Sequence, residues 1–295
     1  MNSPNSAHKI ALGTAQFGLP YGIANTLGQV ALEEASSILS LAKQRGISTL
    51  DTAIAYGESE SVLGNIGIHG WQISSKLPAL PDSKVNVASW VESQVSGSLQ
   101  RLKVDRLHAL LLHRPAQLLE HRGGELYRAL VAQQNCGAVE KIGISIYAPS
   151  ELDQLMPNMQ FDLVQAPVSV LDSRMLDSGW MARLSKLGCE LHARSVFLQG
   201  LLLMSAIDRP AQFDRWQPLW TVWNAWLTDS GLTPLQACLR HVLNTPGIAK
   251  LVLGIESVAQ LEQILSATEG GLPPLPAGLN IDDPKLLNPA SWNKS

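Results

Sequence analysis

The chain has 295 residues and a formal net charge of -3, with 45% hydrophobic and 16% charged residues. That balance supplies enough apolar chain for a well-buried globular enzyme and excludes a disordered tract. It leaves no surplus of positive charge to draw in nucleic acid or an anionic membrane surface.

Short apolar runs alternate with longer amphipathic ones. Ile10 to Gly13 is the first expected strand, followed by a helix over Leu32 to Gln44 that Gly46 stops. Ile47 to Asp51 is the second strand, with a helix starting at Glu58 to Leu63. Gln72 to Lys76 is the third, and the apolar spacing of Val85 to Leu102 predicts a helix. Strand four is Leu107 to His113, with a helix over Gly124 to Gln134. Strand five is Val139 to Ser145, after which Ser150 is expected to cap a short helix. Strand six is Leu163 to Pro167, with a helix over Met181 to Leu187. Strand seven is Cys189 to Arg194. Lys250 to Gly254 is strand eight, and Val258 to Ala267 the last helix.

Eight strands alternating with helices predict a single-domain α/β fold, a closed (β/α)8 TIM barrel, which routinely uses this much chain. The competitor is an open doubly wound sheet, which carries a glycine fingerprint after its first strand. Gly13-Thr14-Ala15-Gln16-Phe17-Gly18 does not fit that fingerprint, and there is no P-loop. Two segments stand outside the alternation: a long connection over Leu203 to Asp229, partly helical, and a tail rich in proline and glycine from Gly270 to Ser295. Either packs outside the barrel or lines its mouth.

Cys136, Cys189 and Cys238 are odd in number, far apart and in no metal-ligand spacing, which reads as reduced, mostly buried thiols. No metal is expected. Met1 to His8 is polar and has no signal-peptide core, and no apolar run is long enough for a bilayer, so a cytoplasmic location is expected.

In a parallel barrel the active site lies at the C-terminal strand ends. Strand two ends in Asp51, with Tyr56 a few residues on; strand three ends in Lys76 and strand four in His113. A phenol is a weak acid at neutral pH, and a neighbouring ammonium favours its ionised form. An aspartate holds that ammonium charged and in place, and a histidine orients or polarises a carbonyl. The set reads as a tuned general acid beside a carbonyl. Each residue also has a plain alternative: a turn cap, a half-buried tyrosine, a surface lysine, a structural histidine.

Leu50-Asp51-Thr52-Ala53-Ile54-Ala55-Tyr56-Gly57, Ser74-Ser75-Lys76 and Leu111-Leu112-His113-Arg114-Pro115 resemble, in order, signature segments of the aldo-keto reductase superfamily. Leu12 to Gly18, Lys141 to Ser145 and Thr233 to Arg240 also match, so the resemblance runs from Ile10 to about Ala267. It implies a barrel that reduces an aldehyde, ketone or sugar-derived carbonyl with NADPH, less often NADH, and no metal. By that resemblance Tyr56 donates the proton, Lys76 and Asp51 tune it, and His113 positions the carbonyl. Ser145 and Gln165 fall where the family holds the nicotinamide carboxamide, and the backbone from Val196 through Phe197, Leu198 and Gln199 to Gly200 falls where it wraps the pyrophosphate. Gly13, Thr14, Asp51, Arg194, Ser195, Gly254, Glu256, Ser257 and Gln260 complete the expected cofactor contacts.

The chain departs from the family at several of these places. Ile146 replaces a usual asparagine. Arg194 replaces an aromatic that stacks on the nicotinamide; its plane can stack too, or its charge can pair with a carboxylate or a phosphate. Gly254 and Gln260 stand where basic side chains often hold the adenosine 2′-phosphate, and Ile264 where an adenine-binding asparagine often sits, with Glu256 nearby. Ser257 and the start of the last helix are expected to bind an anion still. NADH or dual use is therefore a second expectation beside NADPH. Trp216, Trp220 and Trp223, with Trp226, have the spacing of a helix packed on the barrel, with pocket lining as the alternative. Tyr21 and Phe17 are further candidates for pocket lining. The expected partner is a small carbonyl substrate, with the chain a monomer or a small homo-oligomer. The competing function is a cofactor-binding, redox-sensing subunit; against an unrelated lyase or isomerase barrel, the strand ends carry no second lysine or carboxylate cluster for such chemistry.

Overall fold

The computed structural model describes residues 6–81 and 84–292. Met1 to Asn5 and Asn293 to Ser295, parts of the expected polar N-terminus and tail, lie outside the described residues.

Eight parallel strands close into one barrel in chain order. They are β1 (Ile10–Gly13), β2 (Thr49–Asp51), β3 (Gln72–Leu77), β4 (Leu107–Leu112), β5 (Val139–Ser145), β6 (Leu163–Pro167), β7 (Glu190–Arg194) and β8 (Ile248–Gly254). β1 closes the ring by pairing with β8, Gly13 opposite Gly254. Helices follow the strands and bury one face each; Val87–Leu102 turns Val87, Val91, Val95 and Leu102 inward. Its start is fixed by the Asn86 side chain, which accepts from the Ser89 N–H at 3.0 Å. Pro234–Asn244 begins with a complete capping box between Thr233 and Gln236.

The strand runs are legible because both sides of a parallel sheet are covered, so the outward face needs apolar residues. The inward face is less apolar. Alternation aims Thr49 and Asp51 of β2, Ser74 and Lys76 of β3, Lys141 and Ser145 of β5, Gln165 of β6, and Glu190, His192 and Arg194 of β7 toward the barrel axis. Ala109, Leu111 and Leu163 form a small apolar cluster between these polar groups, apart from the main core.

Several boundaries differ from expectation, each for a local reason. Ile47 does not open β2, because its N–H closes the preceding helix on Ala42 O at 3.0 Å. Cys189 does not open β7; its N–H bonds to Leu184 O at 3.0 Å. His113 lies one residue past β4, though its N–H still reaches Leu77 O at 3.1 Å. Ser150 is not a cap. It is the first residue of its helix, and the preceding N–H groups of Tyr147 and Ala148 are held instead by Glu151 Oε1 at 2.6 and 3.0 Å.

The four tryptophans are core. Trp216 closes a 3-10 turn and Trp220, Trp223 and Trp226 lie on the helix Gln217–Ser230, all buried. Their indole N–H groups tie down neighbouring chain: Trp226 donates to Pro274 O at 3.0 Å and Trp216 to Asp283 Oδ2 at 3.1 Å, both on the C-terminal tail. Phe17, expected at the mouth, is also core. Cys189 and Cys238 are buried and Cys136 is exposed. Among the described residues no helix is long and apolar enough to cross a membrane.

Candidate active site

At the C-terminal end of the barrel, Asp51 and Lys76 are 3% and 1% exposed, and they form an ion pair. Lys76 also donates to Thr52 O at 3.0 Å, and the second Asp51 oxygen accepts from Gln165 Nε2 at 2.7 Å. A buried pair is tolerable only when its remaining hydrogen-bonding capacity is used, and here three strands, β2, β3 and β6, supply the partners. Burial opposes the Lys76 charge, but the Asp51 carboxylate and the Tyr56 hydroxyl outweigh it and hold the ammonium above the ordinary lysine value.

Tyr56 stands on the turn after β2. Its N–H bonds to Ala53 O at 3.0 Å, and the neighbouring Ile54 N–H reaches Lys76 O at 3.2 Å. The turn is pressed against the loop after β1 at two glycines. A Cβ on Gly18 would lie 1.9 Å from Tyr56 O, and one on Gly57, at φ 54°, would lie 2.5 Å from Gly18 O. The missing side chains let the two backbones touch, and that contact sets the height of the tyrosine. Its ring lies 5.2 Å from the Lys76 ammonium and meets the His113 ring edge-on at 5.8 Å. Burial and the Lys76 charge push His113 down to about 4, so its imidazole is neutral at pH 7.

A cleft of about 220 Å³ opens above these groups. It runs from Asp51, Tyr56 and Gln165 past Gly13, Thr14 and the loop after β7 to Gly254, Glu256 and Gln260. Arg194, Ser195, Phe197, Gln199 and Gly200 line it, as does Tyr21. The other expected residues lie beside it. Lys76 and His113 are beneath its wall, Ser145 touches Gln165 at the 3.5 Å edge of hydrogen bonding, the Leu198 side chain is buried, and Ser257 caps the last helix. Ile264 is core. The tail does not contribute, and of the long connection only Leu203 does. Gln16, Ala24 and Asn25, on the loop after β1, line the cleft without having been anticipated. A single sequence gives no sign that this loop folds over the mouth.

The residues present fit a dinucleotide. Ser195, Leu198, Gln199 and Gly200 all have positive φ, at 59°, 50°, 53° and 91°. They fold the loop back on itself, with the Leu198 N–H on Ser195 O and the Gly200 N–H on Phe197 O at 2.9 Å each, so that it lines the cleft closely. Gly200 leaves room for the opposite loop, since a Cβ there would meet Ala24 Cβ at 2.4 Å. Ser145 and Gln165 offer the donor and acceptor that an amide needs.

Two of the expected places already have partners within the chain. At the start of the last helix, Val258 N donates to Glu34 Oε1 at 2.7 Å, Gln260 N to Ser257 Oγ at 3.1 Å and Glu256 N to Gln260 Oε1 at 2.7 Å. Arg194 has no carboxylate partner among the described residues. Its guanidinium lies 4.4 Å over the Tyr147 ring and donates to Ile146 O at 2.7 Å and Ser195 Oγ at 3.1 Å. Ile146 thus contributes its carbonyl, while its side chain is core.

The model of the Aldo/keto reductase family matches residues 9–274, nearly the whole barrel. The chain belongs to this family. It is accordingly an NAD(P)H-dependent oxidoreductase that acts on carbonyl groups. Other aldo/keto reductases and oxidoreductases resemble it at a distance. The uncharacterized oxidoreductase YqkF of Bacillus subtilis is 23% identical over 254 residues, covering 79% of this chain and 82% of that one. The oxidoreductase sirO of Leptosphaeria maculans is 25% identical over 303 residues, covering 92% and 91%. Among solved structures, the aldo-keto reductase AKR11C1 of Bacillus halodurans superposes with a TM-score of 0.70 at 17% identity, covering 90% of this chain and 88% of its own. A putative aldo-keto reductase of Pseudomonas aeruginosa gives 0.66 at 22%, covering 88% and 89%. Both likenesses establish the barrel.

Proposed function

We propose that this aldo/keto reductase reduces an aldehyde, ketone or sugar-derived carbonyl to the alcohol, with Tyr56 as the proton donor. The observation that carries the reading is the convergence of Tyr56, Lys76, Asp51 and His113 on one end of the cleft. A bound nicotinamide supplies the hydride. As the carbonyl oxygen gains negative charge, Tyr56 gives it the phenolic proton, and the Lys76 ammonium 5.2 Å from the ring faces the phenolate that forms. Asp51 keeps Lys76 charged and aimed. His113 is neutral and so orients the carbonyl oxygen through one ring N–H without competing as an acid. Ser145 and Gln165 are assigned to the carboxamide, Gly13 and Thr14 to the wall beside it, and the Ser195 to Gly200 loop to the pyrophosphate. Tyr56→Phe is expected to lower kcat by about 10³-fold while leaving reduced-cofactor binding, followed by fluorescence, unchanged. Wild-type turnover in that variant would sink the assignment.

NADH is the favoured cofactor on this reading. The far end of the cleft presents Glu256 and Gln260, and the Glu34 carboxylate occupies the Val258 N–H that a phosphate would use. A 2′-phosphate there meets negative charge and taken donors, whereas a ribose hydroxyl meets acceptors. Titration with both reduced cofactors is expected to give the lower Kd for NADH. A large preference for NADPH would overturn this part alone.

A further inference from the structure

The cleft carries an uncommitted positive charge at its reactive end. Arg194 is the last residue of β7, on the inward face, and among the described residues lining the cleft it is the one cation. No Asp or Glu among the described residues pairs with it. Its charge is close enough to the reacting groups to act on both His113 and Tyr21. The side chain is also held still. Tyr147 stacks under the guanidinium at 4.4 Å, Ile146 O takes one terminal nitrogen at 2.7 Å and Ser195 Oγ the other at 3.1 Å. The Nε–H is buried and has no acceptor. Taking a guanidinium half out of water without a counter-charge is unfavourable, and leaving one of its donors unmade adds to that cost. An anion delivered into the cleft supplies the missing counter-charge.

We infer that the carbonyl substrate carries a carboxylate, and that Arg194 binds it beside Tyr56. Such a substrate is an aldehyde acid or a keto acid, a narrower class than carbonyl compounds in general. Planar guanidinium and planar carboxylate suit each other, and the Tyr147 ring fixes the plane in which they meet. Tyr21 adds a second donor at the rim: its hydroxyl accepts from Gln199 Nε2 at 3.0 Å, which leaves its own O–H to point into the cleft. The inference rests on the proposed carbonyl reduction, but the charge of Arg194 also admits another occupant, the cofactor pyrophosphate, and the experiment separates the two.

The test is a matched pair of substrates, 4-oxobutanoate and butanal, measured with wild type and Arg194→Gln. Wild type is expected to prefer the acid by at least about tenfold in kcat/KM, the scale of one charge-assisted contact. Arg194→Gln is expected to lose that preference through KM for the acid, with the Kd for NADH within about twofold of wild type. Equal kcat/KM for the two aldehydes in wild type overturns the inference. So does a loss in Arg194→Gln that appears in the Kd for NADH and affects both aldehydes alike, which assigns the charge to the pyrophosphate. Calorimetric titration with succinate in the presence of oxidised cofactor reads the anion site without turnover. Arg194-dependent binding in a protein that reduces neither aldehyde keeps the anion site and refutes the reductase reading instead. Absence of binding in wild type overturns the anion site. Should Arg194→Gln fail to fold, the wild-type preference and the succinate titration still decide.

Discussion

The two ends of the barrel both hold charge, but they hold it differently. At the N-terminal end, Lys141 Nζ bonds Glu190 Oε1 at 2.6 Å across the interior, Glu190 also meets His192 Nε2 at 3.3 Å, and Lys250 donates to His8 O at 2.7 Å. Every one of these groups spends its charge or its donor on a neighbour, and the end is plugged. At the C-terminal end, Asp51 and Lys76 are paired, but Tyr56 and Arg194 face the cleft, with His113 edge-on to the Tyr56 ring behind its wall. The difference shows how one barrel separates stability from chemistry: saturated polar groups close the base, and unsaturated ones are exposed where a ligand completes them.

Removing Lys76 is expected to break the comparison most severely. Lys76→Met leaves the Asp51 carboxylate buried without its counter-ion, at a cost of about 3–5 kcal/mol in denaturant unfolding, and it abolishes reduction. A variant of normal stability and normal rate would mean that the pair is decorative.

Acid sharpens it. His113 has a folded value near 4, below its usual 6.5. Its contribution is therefore complete above pH 6.5 and is lost as the pH falls toward 4, because the unfolded chain takes up the proton first. The loss is expected to reach about 3 kcal/mol. The hydrogen bond to His192 holds Glu190 down near 2, with help from Lys141 against its partial burial. Its contribution persists above the usual carboxylate value of 4.5 and is lost between there and pH 2. Thermal unfolding followed from pH 7 downward should register the active-site end first, and His113→Asn should remove that first phase. A single transition confined below pH 4.5 would contradict the order.

Glu190→Gln is the milder change at the base. Glu190 is partly exposed, so solvent screens the pair and the expected loss is only about 1 kcal/mol, with kcat and KM unchanged. The smallest effect is at Glu34. Glu34→Gln keeps an acceptor for Val258 N–H and removes the charge, so the Kd for NADPH is expected to improve about threefold with that for NADH little altered. No change in either Kd would remove Glu34 from the account of cofactor choice.

The barrel itself was legible because parallel strands must be apolar outward, and the catalytic set was legible because polar residues interrupt those runs at one end. Asp51, Lys76 and His113 stand at or just past the strand ends, and the fold gathers them. The saturated base went unread for the same reason: Lys141, Glu190 and His192 sit at inward positions of strands whose outward residues dominate the pattern. Glu34 could not be anticipated, since its partner Val258 is 224 residues away and the contact depends on how the first and last helices meet across the closing seam. Arg194 was recognised as out of place, but its seat on Tyr147 and Ile146 O is a contact between the end of β7 and the loop after β5 that no local spacing encodes. The tryptophan stripe was the opposite case, because helical spacing alone announces a buried face.

The contact between Gly18 and Gly57 carries a consequence for how this enzyme diversifies. The proton donor is seated by two backbones in touch, a gauge that accepts no added carbon atom on either side. Variation among descendants of this chain is thereby channelled: the exposed side chains of the loop of residues 19–29 are at liberty to drift and adopt new substrates, while these two positions act as a ratchet that keeps the chemistry fixed as the specificity wanders.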